Sequence, residues 1–470
     1  MSLILTLDVG TTAVKAGLFD DNLNQLGVAI EEYTLYTPQS GIVELTPETY
    51  WNNAKRAINT VAEKSHSNLK EVCAIACTTQ GETLIPIDQN GNALGNAVVW
   101  LDNRAEKEAE LLKTLETDEE FYRCTGLPER DGFLPLSKIL WFKKIKPELY
   151  NKTYKFLLLE DYLVYRLCGK IVTNPSILSS TGYYDIVQGK YREDILEKCD
   201  IDILKFPEVM PCCSVIGNVN KETIYSIGLS DKAVVTTGAM DQVTMAIGCG
   251  NIREGIVNDT IGTAQVLGAT CGGEILKEYR GITVYKHVIP DKYFLLSFNQ
   301  SAGIVLKWYR NEFCKDILQE FGEADSFDEM SRLAKKEPPL SKGVTFEING
   351  DSNSFTGISL AANRGCFIRA IMEAVCLKSR QNLKNMGIHP EVLISLGGGG
   401  KSAVWNQIKA DIMNKPIITL DIEESALFGA AILAARATNM ISSVSRICSQ
   451  ITKKEEYKPN INNVILYEEV

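Results

Sequence analysis

A short motif rich in glycine and threonine occurs twice in this sequence and constrains its fold more than any other feature. The first copy, Asp8–Ala13, reads DVGTTA, and the second, Asp259–Ala264, reads DTIGTA; the two match when one gap is allowed. Each copy is followed by an apolar run that contains a glycine, Gly17 in one case and Gly268 in the other. Apolar runs joined by a tight Gly-Thr turn predict a strand-turn-strand unit. Two such units predict two related domains that meet across a cleft.

The composition fits a globular protein with two domains. A chain of 470 residues, 45% hydrophobic and 23% charged, is long enough for two separate cores. The net charge of −10 argues against partners such as nucleic acid or an anionic membrane surface. Thirteen cysteines show no spacing typical of a zinc site, which predicts free thiols and a cytoplasmic location. No apolar run reaches the length of a membrane helix, so we expect no membrane association.

The first motif has the chemistry of a phosphate-binding turn. Small residues and hydroxyls at Thr11, Thr12 and Ala13 would allow close approach of phosphate oxygens to the backbone. Lys15 adds a positive charge on the following strand. Asp8, at the end of a buried strand, could hold Mg²⁺ directly or through water. The alternative is that Asp8 and Thr11 only cap a tight turn.

A second carboxylate, Asp241, follows the buried strand Val234–Thr237 and three small or flexible residues. Phosphoryl transfer to an alcohol needs a carboxylate near the attacking hydroxyl, and this position suits one presented into a cleft. The alternative role of Asp241 is a helix N-cap. Gly397–Gly400 form a strand-to-helix turn at which a flat ligand could lie against the backbone. The run lacks the GKS/T ending of a P-loop, which disfavours that nucleotide-binding fold.

Six segments together resemble the FGGY family of carbohydrate kinases, the group that includes xylulokinase, gluconate kinase and glycerol kinase. The resemblance runs from residue 3 to about residue 438 and keeps the family's motif order. The segments are Asp8–Thr12, Val99–Arg104, Asp161–Gly169, Arg364–Ala374, Trp405–Asp411 and Glu424–Ala431.

The resemblance implies an α/β fold with two actin-like ATPase (ribonuclease H-like) domains and a cleft between them, each domain containing a five-stranded mixed sheet. We place an N-terminal FGGY domain, with the sugar site and the first phosphate hairpin, at residues 1–248. A C-terminal FGGY domain, which would bind the nucleotide, covers residues 249–440. Residues 441–470 are predicted to be a C-terminal tail, of which the charged and polar residues 453–470 would be loosely held. A homodimer is common among such kinases, and the oligomeric state stays open.

The resemblance also assigns roles to individual residues. Asp241 matches the catalytic base of the family. Thr263 matches a γ-phosphate contact, Gly303 matches another nucleotide contact, and Gly398 and Ser402 fall where family members contact the adenine. ATP and Mg²⁺ are the implied cofactors. The predicted ATP-binding residues are Thr11, Thr12, Ala13, Lys15, Gly262, Thr263, Gly303, Gly398, Gly399 and Ser402, with Asp8 as the metal ligand.

Substrate recognition in the family depends on positions near residues 81 and 82. Glu82 and Gln242 follow the pattern of glycerol kinases, but Gly81 and Phe133 replace an arginine and a tyrosine of those enzymes. We therefore expect more room at Gly81 and carboxylates that accept the hydroxyl protons of a polyol. Trp100 could stack on the sugar or be an ordinary core residue. The predicted substrate-binding residues are Gly81, Glu82, Trp100, Asp102, Phe133 and Gln242.

These features favour ATP-dependent phosphorylation of a ketopentose such as xylulose, with Asp241 as general base. The alternatives are a kinase for glycerol or a tetritol, a gluconate kinase, and an ATP-binding, sugar-sensing protein of the same fold. Loss of the arginine and tyrosine should weaken glycerol binding selectively. The expected partner is a small-molecule sugar or polyol, and neither nucleic acid nor a membrane.

Overall fold

The computed structural model describes residues 2–278, 281–349 and 352–469. Strands and helices alternate along the described chain, which confirms the predicted α/β class. The strands are β1 (Leu3–Val9), β2 (Ala13–Phe19), β3 (Gln25–Glu32), β4 (Tyr36–Gln39), β5 (Ile42–Leu45), β6 (Val72–Thr79), β7 (Leu84–Ile87), β8 (Ala97–Val98), β9 (Lys155–Leu158), β10 (Val172–Thr173), β11 (Tyr184–Asp185), β12 (Lys190–Tyr191), β13 (Glu208–Val209), β14 (Val215–Asn218), β15 (Val234–Met240), β16 (Ile256–Ile261), β17 (Gln265–Gly272), β18 (Thr283–Lys286), β19 (Lys292–Asn299), β20 (Thr345–Glu347), β21 (Ser354–Thr356), β22 (Val392–Leu396), β23 (Ile417–Leu420) and β24 (Lys453–Tyr457). The helices are α1 (Pro47–Lys64), α2 (Glu106–Lys113), α3 (Asp118–Thr125), α4 (Pro135–Ile145), α5 (Pro147–Lys152), α6 (Leu159–Cys168), α7 (Pro175–Leu178), α8 (Glu193–Lys198), α9 (Lys221–Ile227), α10 (Asp241–Cys249), α11 (Gly303–Phe313), α12 (Lys315–Lys335), α13 (Arg364–Asn385), α14 (Gly397–Gly400), α15 (Ala403–Met413), α16 (Ser425–Ala437), α17 (Val444–Cys448) and α18 (Ile461–Glu468).

Contacts within the chain group it into two units. The first unit contains Met1–Ile252, Cys271–Phe294 and Glu424–Gln450. The second unit contains Arg253–Thr270, Leu295–Glu423 and Ile451–Val470. Two segments that we assigned to the C-terminal domain, those around β18 and α16, therefore group with the first unit. The boundaries of the family domains at 1–248 and 249–440 stay a prediction.

The first unit is built on a six-stranded mixed sheet in the order β14-β15-β6-β1-β2-β3. Strands β1, β6 and β15 are parallel, and β2 runs antiparallel to β1 with Lys15 opposite Asp8. The last residues of the three parallel strands, Val9, Thr79 and Met240, are aligned in register. Because the carboxyl ends of parallel strands meet at one edge of a sheet, the residues that follow them form a common site there.

A second mixed sheet has seven strands in the order β18-β19-β17-β16-β22-β23-β24. The second motif forms the hairpin of β16 and β17, in which Asp259 lies opposite Leu267. Strands β16, β22 and β23 are parallel, and β24 pairs antiparallel with β23. The prediction of five strands per sheet is therefore wrong in number, because β14 extends the first sheet and β18 and β24 extend the second. The shared hairpin and crossover arrangement explains the internal sequence repeat.

Some helices pack against these sheets and others pack against one another. In α1, Tyr50, Ala54, Ile58 and Val61 recur at helical spacing and are buried, and Pro47 occupies the first turn. The helix packs against β2 and β3 in the core of the first unit. In the second unit, α13 and α15 supply much of the core. Among the helices of the described residues, none combines the length and the apolar character that crossing a lipid bilayer requires.

The C-terminal segment is not the loosely held tail that we predicted. Strand β24 pairs with β23, and α18 packs against α15. Tyr467 is fully buried; its hydroxyl donates a hydrogen bond to Glu373 (2.5 Å) and accepts one from Arg369 (3.0 Å). The charged residues Lys453–Glu456 are exposed on the edge strand, which explains why composition alone suggested a tail.

Candidate active site

The turn between β1 and β2 forms a tight loop at the edge where the parallel strands of the first sheet end. The Gly10 N–H donates to Ala13 O (3.0 Å). Tyr33 closes the loop, since its N–H donates to Thr12 O (2.9 Å) and its hydroxyl donates to Gly10 O. The Thr12 side chain is exposed at the tip. The loop therefore holds its carbonyl groups inside the protein and leaves the Thr12 hydroxyl available to a ligand.

Trp100 connects this turn to the segment that follows β8. Its indole Nε1 donates to Thr11 Oγ1 (2.9 Å), and its backbone N–H donates to Thr83 Oγ1 (3.2 Å). The half-buried ring packs against the core of the first unit. Trp100 thus supports the phosphate turn through Thr11, and its stacking on a sugar stays a prediction.

Strand β15 contains a bulge just before its end. The register shifts between Thr236 and Ala239, so that two residues of β15 face the single residue Cys77 of β6. A Cβ atom on Gly238 would lie 1.8 Å from Cys77 O, so this close approach requires glycine. Bulges next to active sites redirect the chain that follows them.

Asp241 follows this bulge as the first residue of α10. Met240 occupies the N-cap position, so the alternative role of Asp241 as the N-cap is wrong. Asp241 Oδ1 accepts a hydrogen bond from Gln242 N (2.6 Å), and the carboxyl group is half-buried. A carboxylate in the first turn is favoured by the helix dipole and is still accessible.

Three carboxyl groups of the first unit influence one another electrostatically. Burial raises the pKa of Asp241 to about 8, the charges of Asp8 and Glu82 also raise it, and hydrogen bonds from Gln242 lower it. Burial likewise raises the pKa of Asp8 to about 6, against the opposing effect of Lys15. A carboxyl group whose pKa lies near neutrality is well suited to accept a proton in catalysis.

Glu82 lies in a three-residue turn directly after β6. The Thr83 N–H donates to Gly81 O (2.7 Å), and Glu82 adopts a φ of +57°, a left-handed conformation that is uncommon outside glycine. Burial raises the pKa of Glu82 to about 7, while Lys138 and a hydrogen bond from the Ser180 side chain lower it. Unusual backbone conformations of this kind are frequent at functional sites.

Lys138, on α4, is a fully buried cation that sequence analysis missed. Its Nζ donates to Glu82 O (3.2 Å) and to Val99 O (2.9 Å). Burial lowers the pKa of Lys138 to about 8, against the raising effects of Glu82, Asp102 and Asp131. One cation therefore offsets only part of the negative charge in this region.

The surroundings of Gly81 argue against the extra room that we expected there. A Cβ atom on Gly81 would lie 2.8 Å from Ser180 Oγ and 3.3 Å from Met240 Sδ. The space next to this glycine is therefore filled by protein atoms of the first unit. Gly81 allows the close approach of Ser180, which in turn interacts with Glu82.

The geometry argues against the predicted substrate contact of Asp102. The side chain is fully buried, and its Oδ1 accepts from Arg104 N (3.0 Å) and Arg104 Nε (2.7 Å). Its Oδ2 accepts from Arg104 Nη2 (2.7 Å) and Val43 N (2.6 Å). These four bonds use the full acceptor capacity of a carboxylate. Asp102 therefore orders the loop around Arg104, which also pairs with Glu44 (2.7 Å).

Gln242 and Phe133 border the same acidic region. Gln242 Oε1 is buried and has no hydrogen-bond partner among the described residues, so a ligand hydroxyl would satisfy it. Phe133 is 37% exposed, and its N–H donates to Asp131 Oδ1 (3.0 Å). The charge of Asp131 raises the pKa of Glu82, which places this loop near the predicted substrate site.

Lys15 is not a free cation in this structure. Its Nζ lies 2.6 Å from Glu424 Oε2, immediately before α16, and both side chains are partly exposed. Opposite Asp8 in the register of β1 and β2, Lys15 lowers the pKa of Asp8 without a hydrogen bond to it. The ammonium group can donate three hydrogen bonds, so a phosphate contact is compatible with this pair.

The residues present fit a Mg²⁺ ion that is held mainly by its ligand and by water. In the part of the chain that the structure describes, no group of three His, Cys, Asp or Glu side chains could hold a metal ion. Asp8 has a half-buried carboxylate near the carboxyl end of β1, and among the described residues no group donates a hydrogen bond to its oxygens. Mg²⁺ at phosphate sites commonly uses one or two carboxylates and keeps several waters.

In the second unit, the tip of the second hairpin lies at the start of α11. Thr263 is exposed, and its carbonyl accepts a hydrogen bond from Ile304 N (2.9 Å). A Cβ atom on Gly303 would lie 2.0 Å from Gly262 O, so the helix start requires glycine, whereas Gly262 itself has open space. The N-terminus of an α-helix favours anions, which suits the predicted phosphate contacts.

The glycines of Gly397–Gly400 in the second unit have different structural roles. Gly397 has a φ of +72°, and Cβ atoms on Gly397 and Gly399 would lie 2.6 Å and 2.7 Å from atoms of Ile261. These two glycines are therefore needed for packing. Gly398 has only Ile261 O, 3.8 Å away, near its Cβ position, so its backbone is open to a ligand. Ser402 is the N-cap of α15; its Oγ accepts from Trp405 N (3.2 Å).

Tyr285 is a further residue that sequence analysis missed. Burial raises its pKa well above the usual value, and the charges of Glu82, Asp241 and Asp131 add to this effect. The neighbouring Lys286 N–H donates to Ser179 Oγ (2.9 Å), which attaches β18 to the end of α7. Tyr285 has no motif around it, so only the folded chain shows that it borders the acidic region.

The fold is similar to that of a ligand-bound xylulose kinase from Lactobacillus acidophilus, with a TM-score of 0.88, 22% identity and coverage of 100% of this chain and 96% of that one. A model of the N-terminal domain of the FGGY family of carbohydrate kinases matches residues 3–248, and the C-terminal model matches residues 260–438. The chain belongs to the FGGY family of carbohydrate kinases, which are phosphotransferases.

Several curated proteins match this chain along nearly its whole length. A xylulose kinase from Staphylococcus epidermidis is 29% identical, covering 99% of this chain and 94% of that protein. An autoinducer-2 kinase from Enterobacter sp. is 26% identical, covering 100% and 92%. A gluconokinase from Bacillus subtilis is 27% identical, covering 97% and 92%. Similar identities to three differently named kinases leave the substrate to be argued from the site.

Proposed function

We propose that this chain transfers the γ-phosphoryl group of ATP to a hydroxyl of a ketopentose such as xylulose, with Asp241 as general base. The observation that carries this proposal is the place of Asp241 at the end of β15. There its side chain is half-buried, and the charges of Asp8 and Glu82 raise its pKa. The sugar oxygen forms a bond to the γ-phosphorus as the bond to the bridging oxygen of ATP breaks. Asp241 accepts the hydroxyl proton and later releases it to solvent, and ADP leaves.

The two hairpins supply the groups that we propose to contact the phosphates. On the first hairpin, Thr12 offers an exposed hydroxyl and Lys15 an ammonium group. On the second hairpin, Thr263 lies at the positive end of the dipole of α11. Gly398 leaves its backbone open, which suits a flat adenine ring. These donors and this dipole would stabilise the negative charge that develops in the transition state.

Asp8 is the residue that we propose to hold Mg²⁺. ATP is the phosphate donor used by this family, and a bound Mg²⁺ would neutralise part of the phosphate charge. The carboxylate of Asp8 accepts no competing hydrogen bond within the described residues, and its charge raises the pKa of Asp241. A cation at Asp8 would also lower the pKa of Asp241, which keeps the base ionised near neutral pH.

The charge of the site favours a neutral sugar over an aldonate. The charges of Glu82, Asp102 and Asp131 act on the buried cation Lys138, and those of Asp8 and Glu82 act on Asp241, so we expect an anionic substrate to meet repulsion. Carboxylates and the buried Gln242 Oε1 accept hydrogen bonds, which suits the several hydroxyls of a ketose. The name of the Staphylococcus relative, xylulose kinase, supports a ketopentose. Gluconate is therefore a less favoured candidate substrate than xylulose.

A coupled ADP-release assay with MgATP tests the proposal. D-xylulose, a ketohexose, gluconate, erythritol and glycerol would be compared, with Asp241→Ala beside the unmodified chain. We expect the highest kcat/KM with xylulose and a loss of at least about 10²-fold in Asp241→Ala, with ATP affinity nearly unchanged. Unmodified turnover in Asp241→Ala would overturn the role of this base. Higher kcat/KM with gluconate or glycerol would replace the substrate, and ATP binding without turnover on any compound would indicate a sensing protein.

A further inference from the structure

The bulge before Asp241 is held by a buried carboxyl group from outside the sheet. Glu160, the second residue of α6, is 2% exposed. Its Oε1 accepts hydrogen bonds from Gly238 N (3.1 Å) and from Asn174 Nδ2 (2.7 Å). Gly238 lies in the register shift of β15, where its N–H is bonded to Glu160 rather than to β6. A buried backbone N–H left without a partner would be costly, so Glu160 stabilises this bulge.

The same carboxyl group is joined to the residue before Asp241 by a second route. Asn174 is the N-cap of α7, and its Oδ1 accepts from Ser176 N (3.1 Å). Ser176 Oγ in turn accepts from Met240 N (3.2 Å). Glu160, Asn174 and Ser176 therefore form a buried bridge between the two ends of the three-residue segment Gly238–Met240. This segment leads directly into Asp241.

Helix α7 extends this bridge to the predicted substrate side. The two residues after α7 are Ser179, whose Oγ accepts from Lys286 N (2.9 Å), and Ser180, whose Oγ donates to Ile177 O (3.2 Å) and which lowers the pKa of Glu82. Packed networks of this kind hold catalytic groups in a productive geometry. The bridge from Glu160 therefore links the position of Asp241 to that of Glu82.

The state of charge of Glu160 is compatible with this role. Burial raises the pKa of Glu160 well above its usual value, and the neighbouring Asp161 adds to the effect. A neutral carboxyl group still accepts through Oε1 and does not repel Asp241. Glutamine has nearly the same shape and keeps that acceptor, so Glu160→Gln is a conservative variant here.

We propose that Glu160 is a positioning residue for phosphoryl transfer. It sets the place of Asp241 by holding the Gly238 bulge, and through Asn174 and α7 it sets the alignment of Asp241 with Glu82. This inference rests on the proposed function of Asp241 as general base. Glu160 does not touch the reacting atoms and acts only through these neighbours. Small displacements of a catalytic group can reduce the rate by about 10²-fold.

Steady-state kinetics with D-xylulose and MgATP test this role in Glu160→Gln and Glu160→Met. Methionine matches the length of the side chain and removes the acceptor. We expect Glu160→Met to lower kcat by about 10- to 100-fold while the KM for ATP changes less than twofold. Glu160→Gln should keep at least about a third of the unmodified kcat. Asp161 is a neighbouring buried carboxyl group on the same helix. The variant Asp161→Asn is therefore the matched control, and its kcat should equal that of the unmodified chain.

The other possible outcomes either contradict the positioning role of Glu160 or separate it from the role of Asp241 as general base. An unchanged kcat in Glu160→Met, equal losses in both Glu160 variants, or an equal loss in Asp161→Asn would overturn the positioning role. If Glu160→Met does not fold, Ser176→Ala decides, since loss of its bond to Met240 should lower kcat about fivefold. Asp241→Ala is measured in parallel. Activity in Asp241→Ala would refute the proposed base, whereas loss there with an active Glu160→Met refutes only the positioning role.

Discussion

The two hairpins carry the same motif but treat its aspartate in opposite ways. Asp8 of the first hairpin is half-buried, and within the described residues its oxygens accept no hydrogen bond. Asp259 of the second hairpin is 1% exposed; its Oδ2 lies 2.7 Å from Lys409 Nζ, and its Oδ1 accepts from Gln265 Nε2 (2.8 Å). Lys409 also donates to Ser395 Oγ (2.7 Å).

This difference separates a carboxylate that is available for chemistry from one that is part of the scaffold. Lys15 lowers the pKa of Asp8, but Lys15 is itself paired with Glu424, whose charge raises that pKa. Asp259 is paired with the buried cation Lys409 and accepts one hydrogen bond, from Gln265. A duplicated motif thus preserves the hairpin geometry in both units, while the residues around it decide whether its acid can hold a ligand.

The largest expected effect concerns Asp259. Replacing it by asparagine leaves the Lys409 charge buried without a counter-ion, which should lower the free energy of unfolding by about 3–5 kcal/mol. Urea unfolding followed by circular dichroism measures this loss. The double variant Asp259→Asn/Lys409→Met should be more stable than Asp259→Asn, because no unpaired charge remains. An Asp259→Asn protein as stable as the unmodified chain would show that the second aspartate is not structural.

Asp8 should respond in the opposite way. Asp8→Asn removes the proposed Mg²⁺ ligand and should lower kcat by about 10²-fold, equivalent to about 2.7 kcal/mol in the barrier. The unfolding midpoint should not fall, since burial disfavours the ionised form of this carboxyl group. A Mg²⁺ titration of activity should also shift to higher concentrations. Loss of stability with unchanged kcat would make Asp8 a scaffold residue like Asp259.

The free energy of unfolding of Asp241→Asn should differ from that of the unmodified chain in a way that depends on pH. Its pKa is raised from 3.8 to about 8, so between these pH values the folded state keeps a proton that the unfolded chain has released. Stability from this group is therefore fully present below about pH 4 and is lost as the pH rises towards 8. Relative to the unmodified chain, Asp241→Asn should gain about 1–3 kcal/mol at pH 8 and nothing at pH 4.

Thermal unfolding across this pH range, at matched ionic strength, measures that difference. Asp8 and Glu82 titrate over part of the same range, but both are present in the two proteins being compared. A gain that is independent of pH would mean that asparagine acts by packing and not by removal of a buried charge.

The smallest expected effect concerns the pair of Lys15 and Glu424. Both side chains are partly exposed, so the pair itself should contribute at most about 1 kcal/mol to stability. Glu424→Gln should free Lys15 for phosphate and lower the KM for MgATP by about twofold to fivefold, a change of about 0.4–1 kcal/mol. Lys15→Met should raise that KM. If both variants shift the KM in the same direction, the pair acts structurally.

The local features of the fold were predictable because neighbouring residues determine them. The apolar runs and the Gly-Thr turns predicted both hairpins, and the run before Gly397 predicted β22 at its observed bounds. The order of six motifs indicated the family. Asp241 was found because a buried strand with small residues precedes it. The extra edge strands and the ordered C-terminus were missed because exposed, charged residues carry little information about pairing.

The site was predicted less completely because several of its properties depend on residues far apart in the sequence. Asp102 has the residue type of a sugar ligand, but Arg104 and Val43 use all of its oxygens. Room at Gly81 was inferred from a missing side chain, and the neighbouring Ser180 fills that space.

The sequence alone therefore determined the class of fold, the family and the presence of a carboxylate at the end of β15. Tertiary structure decided which acids remain available: Asp8 has no bonded partner among the described residues, whereas Asp259 is paired with Lys409, a residue distant in the chain. It also brought Glu160 to the N–H of Gly238. The physical reason is that backbone propensity acts over a few residues, whereas burial, pairing and pKa depend on which side chains the folded chain brings together.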